Sequence, residues 1–308
     1  MLRLMNNIMP TLLIGLLIMG TMTHNLFGQC DSDCTGSNTF FGDNSGANTT
    51  GLGNSFFGRS AGSSNTTGNS NSSFGTDSGF NNTTGSNNSF FGQFSGFNNT
   101  TGNSNSFFGE DSGRSNTTGN GNSFFGQFSG FNNFSASGSS FFGQEAGRNN
   151  TTGGTNSFFG SFSGTTNTTG FSNSFFGQAS GRNLTTGNLN SFFGQASGFQ
   201  ITSGSRNVCI GRGSGPTSAN AALSNRLYID IVNGVPGNDN PLIYGEFDNN
   251  FVRINGTFEV TAGLTNPSSI TLKDRFSAVA PMLVLDKINK LDISELSLIH
   301  ISEPTRPY

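Results

Sequence analysis

The sequence carries little charge and almost no histidine. Among 308 residues, 14 are Lys or Arg and 17 are Asp or Glu, which gives a net charge of −3. No lysine lies between residues 39 and 215, so this stretch has no basic stripe to neutralise phosphates, and we expect no nucleic-acid partner. The two histidines, His24 and His300, lie near the ends of the chain, which leaves none between them for acid–base or nucleophilic catalysis. We expect that the protein is not an enzyme.

Residues for metal and phosphate sites are also missing. The three cysteines, Cys30, Cys34 and Cys209, do not have metal-ligand spacing. The Gly-rich strings contain no Asp at the spacing of calcium-binding repeats and no Lys for a phosphate loop. We therefore expect no metal site and no cofactor.

Tryptophan is absent, and phenylalanine supplies the apolar content that Leu, Val and Ile supply in most globular proteins. The chain has 33 Phe and 45 Gly. A disordered chain is poor in aromatic residues, because it cannot offset its ordering entropy by burial. Phenylalanine at a fixed register therefore predicts an ordered, repetitive core.

Glycine recurs at a nearly constant interval, with a first step of 16 residues and later steps of 17. The unit reads Asn-Ser-Phe-Phe-Gly-x-x-Ser-Gly-x-x-Asn-Thr-Thr-Gly-x-x. A short fixed period is typical of a solenoid, in which each unit buries its apolar face against its neighbours. The period predicts an all-β solenoid of about ten coils over residues 39–215, roughly 50 Å long. The glycines are Gly42, Gly58, Gly75, Gly92, Gly109, Gly126, Gly143, Gly160, Gly177, Gly194 and Gly211.

The two adjacent phenylalanines of each unit point to opposite faces of a strand. One column fills the coil interior, and the other forms an outer apolar stripe with a spacing of ~4.8 Å, which is not left in water. Three identical chains around a common axis would cover the stripe, and we favour this trimer. One wider coil with both columns inside is the alternative. The two columns are formed by Phe56, Phe57, Phe90, Phe91, Phe107, Phe108, Phe124, Phe125, Phe141, Phe142, Phe158, Phe159, Phe175, Phe176, Phe192 and Phe193.

The Asn-Thr-Thr-Gly segment predicts a short strand or turn, whose Asn and Gly tolerate the left-handed backbone angles of a coil corner. Triplets such as Asn116-Thr117-Thr118 match the glycosylation acceptor pattern, but we interpret them as corner residues. Stacked threonines are also a feature of ice-binding solenoids. Because the two threonines are adjacent, only one of them faces outward.

A doubled period of 34 residues lies within the repeat. Coils with an acid and an arginine alternate with coils that carry two phenylalanines. An intervening aromatic coil separates like charges by ~10 Å, and each arginine can stack on a flanking ring. Duplication of a two-coil unit explains the pattern equally well, and a face that binds glycans or another partner is a further interpretation. The residues of this candidate binding face are Phe94, Phe97, Asp111, Arg114, Phe128, Phe131, Glu145 and Arg148.

The N-terminus predicts export. Arg3 precedes a short apolar run over residues 9–19, which together indicate a signal peptide over residues 1–29 and a protein that is secreted or on the bacterial cell surface. The run is too short for a membrane span, and we expect no transmembrane segment after the signal is removed. A lipoprotein is the alternative interpretation, although Gln29 is a poor fit before the modified cysteine.

The cysteines fit an exported chain. Cys30 and Cys34 lie in a short segment, residues 30–38, and predict a local disulfide. Cys209 stands where the first Phe of the last repeat is expected, which predicts a buried thiol.

After residue 215 the period stops. Residues 226–230, 241–244 and 251–260 have strand patterns, which predict a small β module over residues 216–266. From Pro281 the apolar spacing becomes helical, over residues 282–291.

The stretch from Ser268 to Phe276, followed by residues 284–295, resembles the opening of the endosialidase-type intramolecular chaperone domain. The repeats are similar to the Asn-Thr-Ala-Ile-Gly repeats often found before that domain. The resemblance implies a C-terminal domain that trimerises, drives folding of a β-structured stalk and cleaves itself with a Ser and a Lys, matched here by Ser268 and Lys273. Ser269 stands where an Asp is usual, and most of the domain is missing. We therefore expect residues 267–295 to be its truncated start, with self-cleavage only in the untruncated protein.

Residues 296–308 resemble the translation of a transposon-type sequencing adapter and do not enter the fold prediction. The natural protein is then expected to continue past Glu295. The sequence as a whole predicts a secreted structural or adhesive rod, a stalk or adhesin, that assembles as a homotrimer with the help of its chaperone. The signal peptide argues against a phage fibre. A self-cleaving precursor and an ice- or glycan-binding solenoid are the alternatives.

Overall fold

The computed structural model describes residues 29–30 and 38–259. These residues form one sheet of fifteen short strands in chain order, together with a 3-10 turn at Ser218–Asn220. The strands are β1 (Gln29–Cys30), β2 (Thr39–Phe41), β3 (Ser55–Phe57), β4 (Ser72–Phe74), β5 (Ser89–Phe91), β6 (Ser106–Phe108), β7 (Ser123–Phe125), β8 (Ser140–Phe142), β9 (Ser157–Phe159), β10 (Ser174–Phe176), β11 (Ser191–Phe193), β12 (Val208–Ile210), β13 (Arg226–Ile229), β14 (Ile243–Glu246) and β15 (Phe251–Ile254).

Strands β2 to β13 pair in parallel, each with the next along the chain. The register places equivalent repeat positions opposite each other, as in the pairs Phe107–Phe124 and Phe108–Phe125. Strand β1 lies antiparallel to β2, and β13, β14 and β15 form an antiparallel meander. The predicted all-β solenoid is confirmed, with eleven repeat strands, β2 to β12, where about ten coils were predicted.

The two phenylalanine columns lie on opposite faces of the sheet. The first Phe of each strand is buried, and the second is partly exposed. Phe107, Phe124 and Phe141 are completely buried and stack with ring centroids 4.6 to 4.8 Å apart. A single coil therefore holds one column inside, and the wider coil with both columns inside is wrong for this chain.

The rest of the coil interior is polar. Next to each inner Phe lies a buried serine such as Ser112, whose hydroxyl donates to the Phe124 carbonyl at 3.1 Å. Two asparagines of most coils, for example Asn105 and Asn116, are also buried. A buried amide is costly unless it is hydrogen-bonded, so each of these side chains needs partners within the stack.

The corner asparagines form two ladders that run from coil to coil. In one ladder, Asn116 Nδ2 donates to Asn99 Oδ1 at 2.7 Å and to the Gly119 carbonyl at 3.1 Å. In the other, Asn105 Oδ1 accepts from the Asn122 backbone N–H at 3.0 Å, and Asn105 Nδ2 donates to the Gly119 carbonyl at 2.8 Å. The amides thus satisfy both each other and the backbone groups that the corners would leave unpaired.

This geometry corrects the expectation for Asn-Thr-Thr-Gly. The segment forms a bend without a strand, and neither Asn116 nor Gly119 has a positive φ. A Cβ at Gly119 would overlap the Ala136 carbonyl oxygen and Asn116 Oδ1, although alanine holds the equivalent position of the next coil, at Ala136. The left-handed residues lie elsewhere, at positions such as Asp111 (φ 56°) and Ser104 (φ 57°).

Several substitutions interrupt the interior columns, among them Ser139 and Ile201 in the asparagine ladders and Ala61 and Ala146 in the serine column. Ser73 replaces an inner Phe, and the neighbouring Phe90 ring tilts by 22° relative to Phe107, where the regular stacks tilt by 5 to 8°. Leu184 replaces a ladder asparagine. Cys209 takes the last inner position before Tyr228 and is a buried free thiol, as predicted.

The three strands predicted after residue 215 are present as β13, β14 and β15. The first of them continues the parallel stack, with Tyr228 opposite Cys209. Other predictions lie outside the described residues: the signal peptide, the Cys30–Cys34 pairing, the helical segment from Pro281, and Ser268 with Lys273. In the part of the chain that the structure describes, no helix has the length and apolar content needed to cross a membrane.

Candidate functional site

The outer face of the sheet carries a continuous stack of phenylalanine rings, here called the outer column. Neighbouring rings lie parallel, as in Phe108–Phe125, with centroids 4.7 Å apart and planes within 3°. The rings cover each other's faces and leave their edges in solvent. Exposure rises towards the ends of the column, to 54% for Phe41 and 43% for Phe193. The column is formed by Phe41, Phe57, Phe74, Phe91, Phe108, Phe125, Phe142, Phe159, Phe176 and Phe193.

Polar residues, most of them uncharged, flank the outer column. On one side lie the serines that open each strand, such as Ser106 and Ser123, on the same face as the outer rings. The residue that follows Phe-Phe-Gly forms a further column of mostly exposed side chains, in which Gln127 Nε2 donates to Glu110 Oε2 at 2.8 Å. The result is an apolar stripe in a surface of low charge density, which a second surface can cover with little burial of charge.

The residues of the candidate binding face lie in the turn that follows the strand of each coil, and the structure brings them together. The Arg114 guanidinium carbon is 4.9 Å from the ring centroid of Phe94 and 5.7 Å from those of Phe97 and Phe131. Arg114 also pairs with Asp111 of its own coil at 3.1 Å. Each arginine therefore has both aromatic and acidic partners within the solenoid.

The same arrangement recurs two coils further along. Arg148 lies 5.4 Å from the Phe128 centroid and 5.9 Å from that of Phe131, and it pairs with Glu145 at 3.2 Å. Phe131 thus contacts both Arg114 and Arg148. Because guanidinium groups cover these ring faces, the rings are not free to stack on a sugar, and the geometry favours a role in holding coils together.

One variable position of this face adopts a left-handed backbone in every coil. Phe94, Asp111, Phe128 and Glu145 all have φ between 55 and 58°. A side chain in this region costs about 1 to 2 kcal/mol relative to ordinary angles, and glycine would avoid the cost. Ala179 and Ala196 adopt the same conformation at the equivalent positions, so the coil imposes it whatever the side chain, and the spacing pattern alone did not reveal it.

Burial raises the pKa of the Asp111 carboxyl above its ordinary value, and the neighbouring Arg114 opposes this effect. The carboxylate side chain is only 9% exposed, whereas Arg114 is 37% exposed. The ion pair therefore stabilises an acid that the fold has largely removed from water.

The threonine corner offers a single outward column. In most pairs the hydroxyl of the first Thr is hydrogen-bonded within the solenoid, as in Thr100, whose hydroxyl donates to the Thr117 carbonyl at 2.9 Å. The second, for example Thr101 or Thr118, is exposed. Phe134 interrupts the column of first threonines, whose hydroxyls bond to the next coil and not to solvent. A flat array of two outward hydroxyl columns therefore does not form on this surface. Asn116 is completely buried, which supports its interpretation as a corner residue.

Within residues 29–30 and 38–259, no cluster of three or more His, Cys, Asp or Glu side chains is placed to hold a metal ion. Comparisons with known proteins add no assignment. No protein-family model matches the chain, no curated protein is significantly similar to it, and no solved structure matches its fold.

Proposed function

We propose that this protein is a secreted structural rod on the bacterial cell surface, a stalk or adhesin that assembles as a trimer. The observation that carries the proposal is the outer column, an uninterrupted apolar stripe along one face of a rigid repetitive sheet. A solenoid of this kind presents extended surfaces and no deep cleft, which suits spacing and adhesion better than chemistry on a small substrate. The resemblance of residues 268–295 to an intramolecular chaperone supports assembly as a trimer.

Three copies suit the geometry of the outer column. The stripe is one side chain wide, so it covers a narrow sector of each coil. Three narrow sectors meet around a common axis and bury all three stripes, as in parallel fibres with an apolar seam. The flanking serines and glutamines then form the polar rim of each contact.

The mass of the full chain in solution tests the proposal. We expect static light scattering to give three times the chain mass. Replacing Phe108, Phe125 and Phe142 together with serine should return the monomer while the β-sheet circular dichroism is retained. The matched control is Phe134→Ser, which removes a 56% exposed ring outside the outer column and should leave the trimer intact. A folded wild-type chain that stays monomeric, or one that forms only dimers, would contradict the proposal.

A further inference from the structure

The outer column leaves the alignment between copies undefined. Every coil presents nearly the same outward residues, so sliding one chain along another by one coil, ~4.8 Å, keeps almost all contacts. A repetitive strand surface specifies register weakly unless another feature pins it. We propose that an aliphatic patch on β12 to β15 is that feature and fixes the register between parallel copies of this chain. This inference rests on the proposed self-assembly.

The outer column continues without a break into the last strands. The strand register places Ile210 next to Phe193, then Ile229, Ile243 and Ile254 in turn. The interior follows the same order on the opposite face, through Cys209, Tyr228 and Tyr244. The outward apolar stripe therefore runs from β2 to β15.

The serine column beside the stripe changes character at the same place. Opposite Ser191 lies Val208, followed by Leu227, Gly245 and Val252. The glycine leaves room for Leu227, whose Cβ would lie 3.1 Å from a Cβ added at Gly245. On β12, β13 and β15 the stripe is thus two side chains wide, and on β14 Leu227 leans over the position of Gly245. The aliphatic patch consists of Val208, Ile210, Leu227, Ile229, Ile243, Val252 and Ile254.

Three of the seven patch residues are exposed and the other four are partly buried, and no charged side chain is among them. Val252 is 64% exposed, Ile210 is 41% and Ile254 is 37%. At its margin, Arg226 is paired with Asp248 at 2.8 Å, so this charge has a partner already. The outer column and the patch together expose on the order of 800 Å² of apolar surface, about what one partner contributes to a standard interface.

The occupant that fits this surface is a second copy in parallel orientation. Among the described strands, the stripe is two apolar side chains wide only on β12, β13 and β15, because serine or threonine holds the adjacent position from β2 to β11 and Gly245 holds it on β14. Patch meets patch only when copies run in the same direction without a shift. A shift of one coil would place aliphatic residues against serines and lose apolar contact on both sides.

Photo-cross-linking in the full chain tests the register. Phe125 of the outer column is replaced by p-benzoylphenylalanine, chains of natural and ¹⁵N composition are mixed and refolded together, and mass spectrometry identifies the partner coil. The patch is weakened with Val252→Thr plus Ile254→Thr, which keeps β-branched side chains. The matched control is Val235→Thr, because Val235 is 79% exposed and lies outside the patch.

We expect intermolecular cross-links on one partner coil in the parent chain and in the Val235→Thr control. In the doubly substituted chain, the trimer mass should persist while the cross-linked fraction on that coil falls at least twofold and appears on neighbouring coils. A single-coil pattern that survives the double substitution would overturn the inference. The same pattern is expected if the chain's own following segment, and not a second copy, covers the patch. A doubly substituted chain that becomes monomeric would also overturn it, since the patch then supplies affinity instead of register. Monomers in every variant would overturn the proposed function itself.

Discussion

At the scale of single residues, the buried asparagines set this core apart from an apolar one. In the ladder that contains Asn116, each amide donates to the asparagine of the preceding coil and accepts from that of the next, so its contribution to stability depends on both neighbours. Asn167 is the exception, because Leu184 follows it and leaves Asn167 Oδ1 without a hydrogen-bond partner among the described residues. The chain therefore contains its own comparison between an internal and a terminal member of the ladder.

Asn116→Leu should destabilise the solenoid more than Asn167→Leu. The first substitution removes the bonds of Asn116 to Asn99 and from Asn133, which leaves new unsatisfied groups on both sides. The second removes one unsatisfied oxygen while it creates another, at Asn150. We expect a loss of about 2 kcal/mol in the free energy of unfolding for Asn116→Leu and less than half of that for Asn167→Leu. Guanidinium unfolding followed by circular dichroism measures both losses. Equal losses would show that the hydrogen bonds to the neighbouring coils do not determine how much a ladder asparagine stabilises the protein.

Arg114→Gln should destabilise the protein in a pH-dependent manner. The pKa of folded Asp111 is already above its ordinary value of 3.8, so this acid opposes folding at neutral pH and ceases to do so as pH falls through its folded pKa. Removing Arg114 raises that pKa further. The stability difference from the parent chain should be about 1 kcal/mol at pH 7 and should shrink as the pH approaches 3.8.

Arg182→Gln is the control for this effect. Arg182 stacks on Phe162 at 5.3 Å, and Ala179 takes the place of the acid in its coil. Its loss should therefore cost similar amounts at pH 7 and pH 4. Urea unfolding at several pH values compares the two variants, and parallel pH profiles would refute the role assigned to the Asp111–Arg114 pair.

Sequence reasoning predicted the phenylalanines better than the asparagines. Adjacent Phe residues in a strand must face opposite ways, so the period predicted two columns on opposite faces. It left open whether the second column lies outside or within a wider coil, and the structure places it outside. Asparagine is common both in corners and in buried ladders, and the repeat pattern does not distinguish these uses. The stacking of Arg114 on Phe94 could be anticipated from the two-coil alternation, whereas the left-handed backbone at Asp111 could not.

At the scale of the element, the coil depends on glycines that allow neighbouring backbones to approach. A Cβ at Gly109, which has a φ of 134°, would lie 2.7 Å from the backbone carbonyl atoms of Gly126 in the next coil. Gly121, with a φ of 64°, has no atom within 4 Å of such a Cβ. Its equivalents in other coils are Ser104 and Thr155, which adopt φ values of 57° and 55°.

Gly109→Ser should therefore be far more damaging than Gly121→Ser. We expect the first to cost about 3 kcal/mol or more, because backbone atoms of the adjacent coil must move, and the second to cost about 1 kcal/mol or less. Differential scanning calorimetry of the two variants provides the comparison. Similar midpoints would mean that coil spacing can adjust freely, contrary to the packing described above.

The strand of each coil was predictable, and the remainder of the coil was only partly so. Ser-Phe-Phe before glycine has the alternation of a half-buried strand. The Asn-Thr-Thr-Gly segment allowed either a strand or a turn, and it forms a bend. Its threonine N–H groups donate to the backbone of the next coil, as Thr100 does to the Thr117 carbonyl at 3.0 Å, and its asparagine side chain donates to the glycine carbonyl, as Asn116 does to Gly119 at 3.1 Å. The preference depends on contacts with the next coil, which lie 17 residues away in the chain.

At the scale of the whole solenoid, the two ends of the parallel stack differ from its middle. Strand β1 pairs antiparallel with β2, and the meander of β13 to β15 follows β12. Reversed strands at the ends interrupt the repeating parallel template that would otherwise recruit further chains. Length and period were therefore predictable from repeat counting, whereas the way in which the stack ends depended on non-repetitive residues such as Tyr228 and Gly245.

The direction of the hydrogen bonds gives this rod a mechanical character. Backbone bonds such as Gly126 N–H to the Phe108 carbonyl, at 2.8 Å, join one coil to the next along the stack. Tension applied to the two ends therefore peels coils away in succession, since it loads the bonds of the terminal coil before those of the middle. Each released coil adds 17 residues, or roughly 60 Å, of extended chain. A solenoid of this construction yields stepwise under a sudden pull and absorbs energy at each step, where a sheared sheet would give way at once.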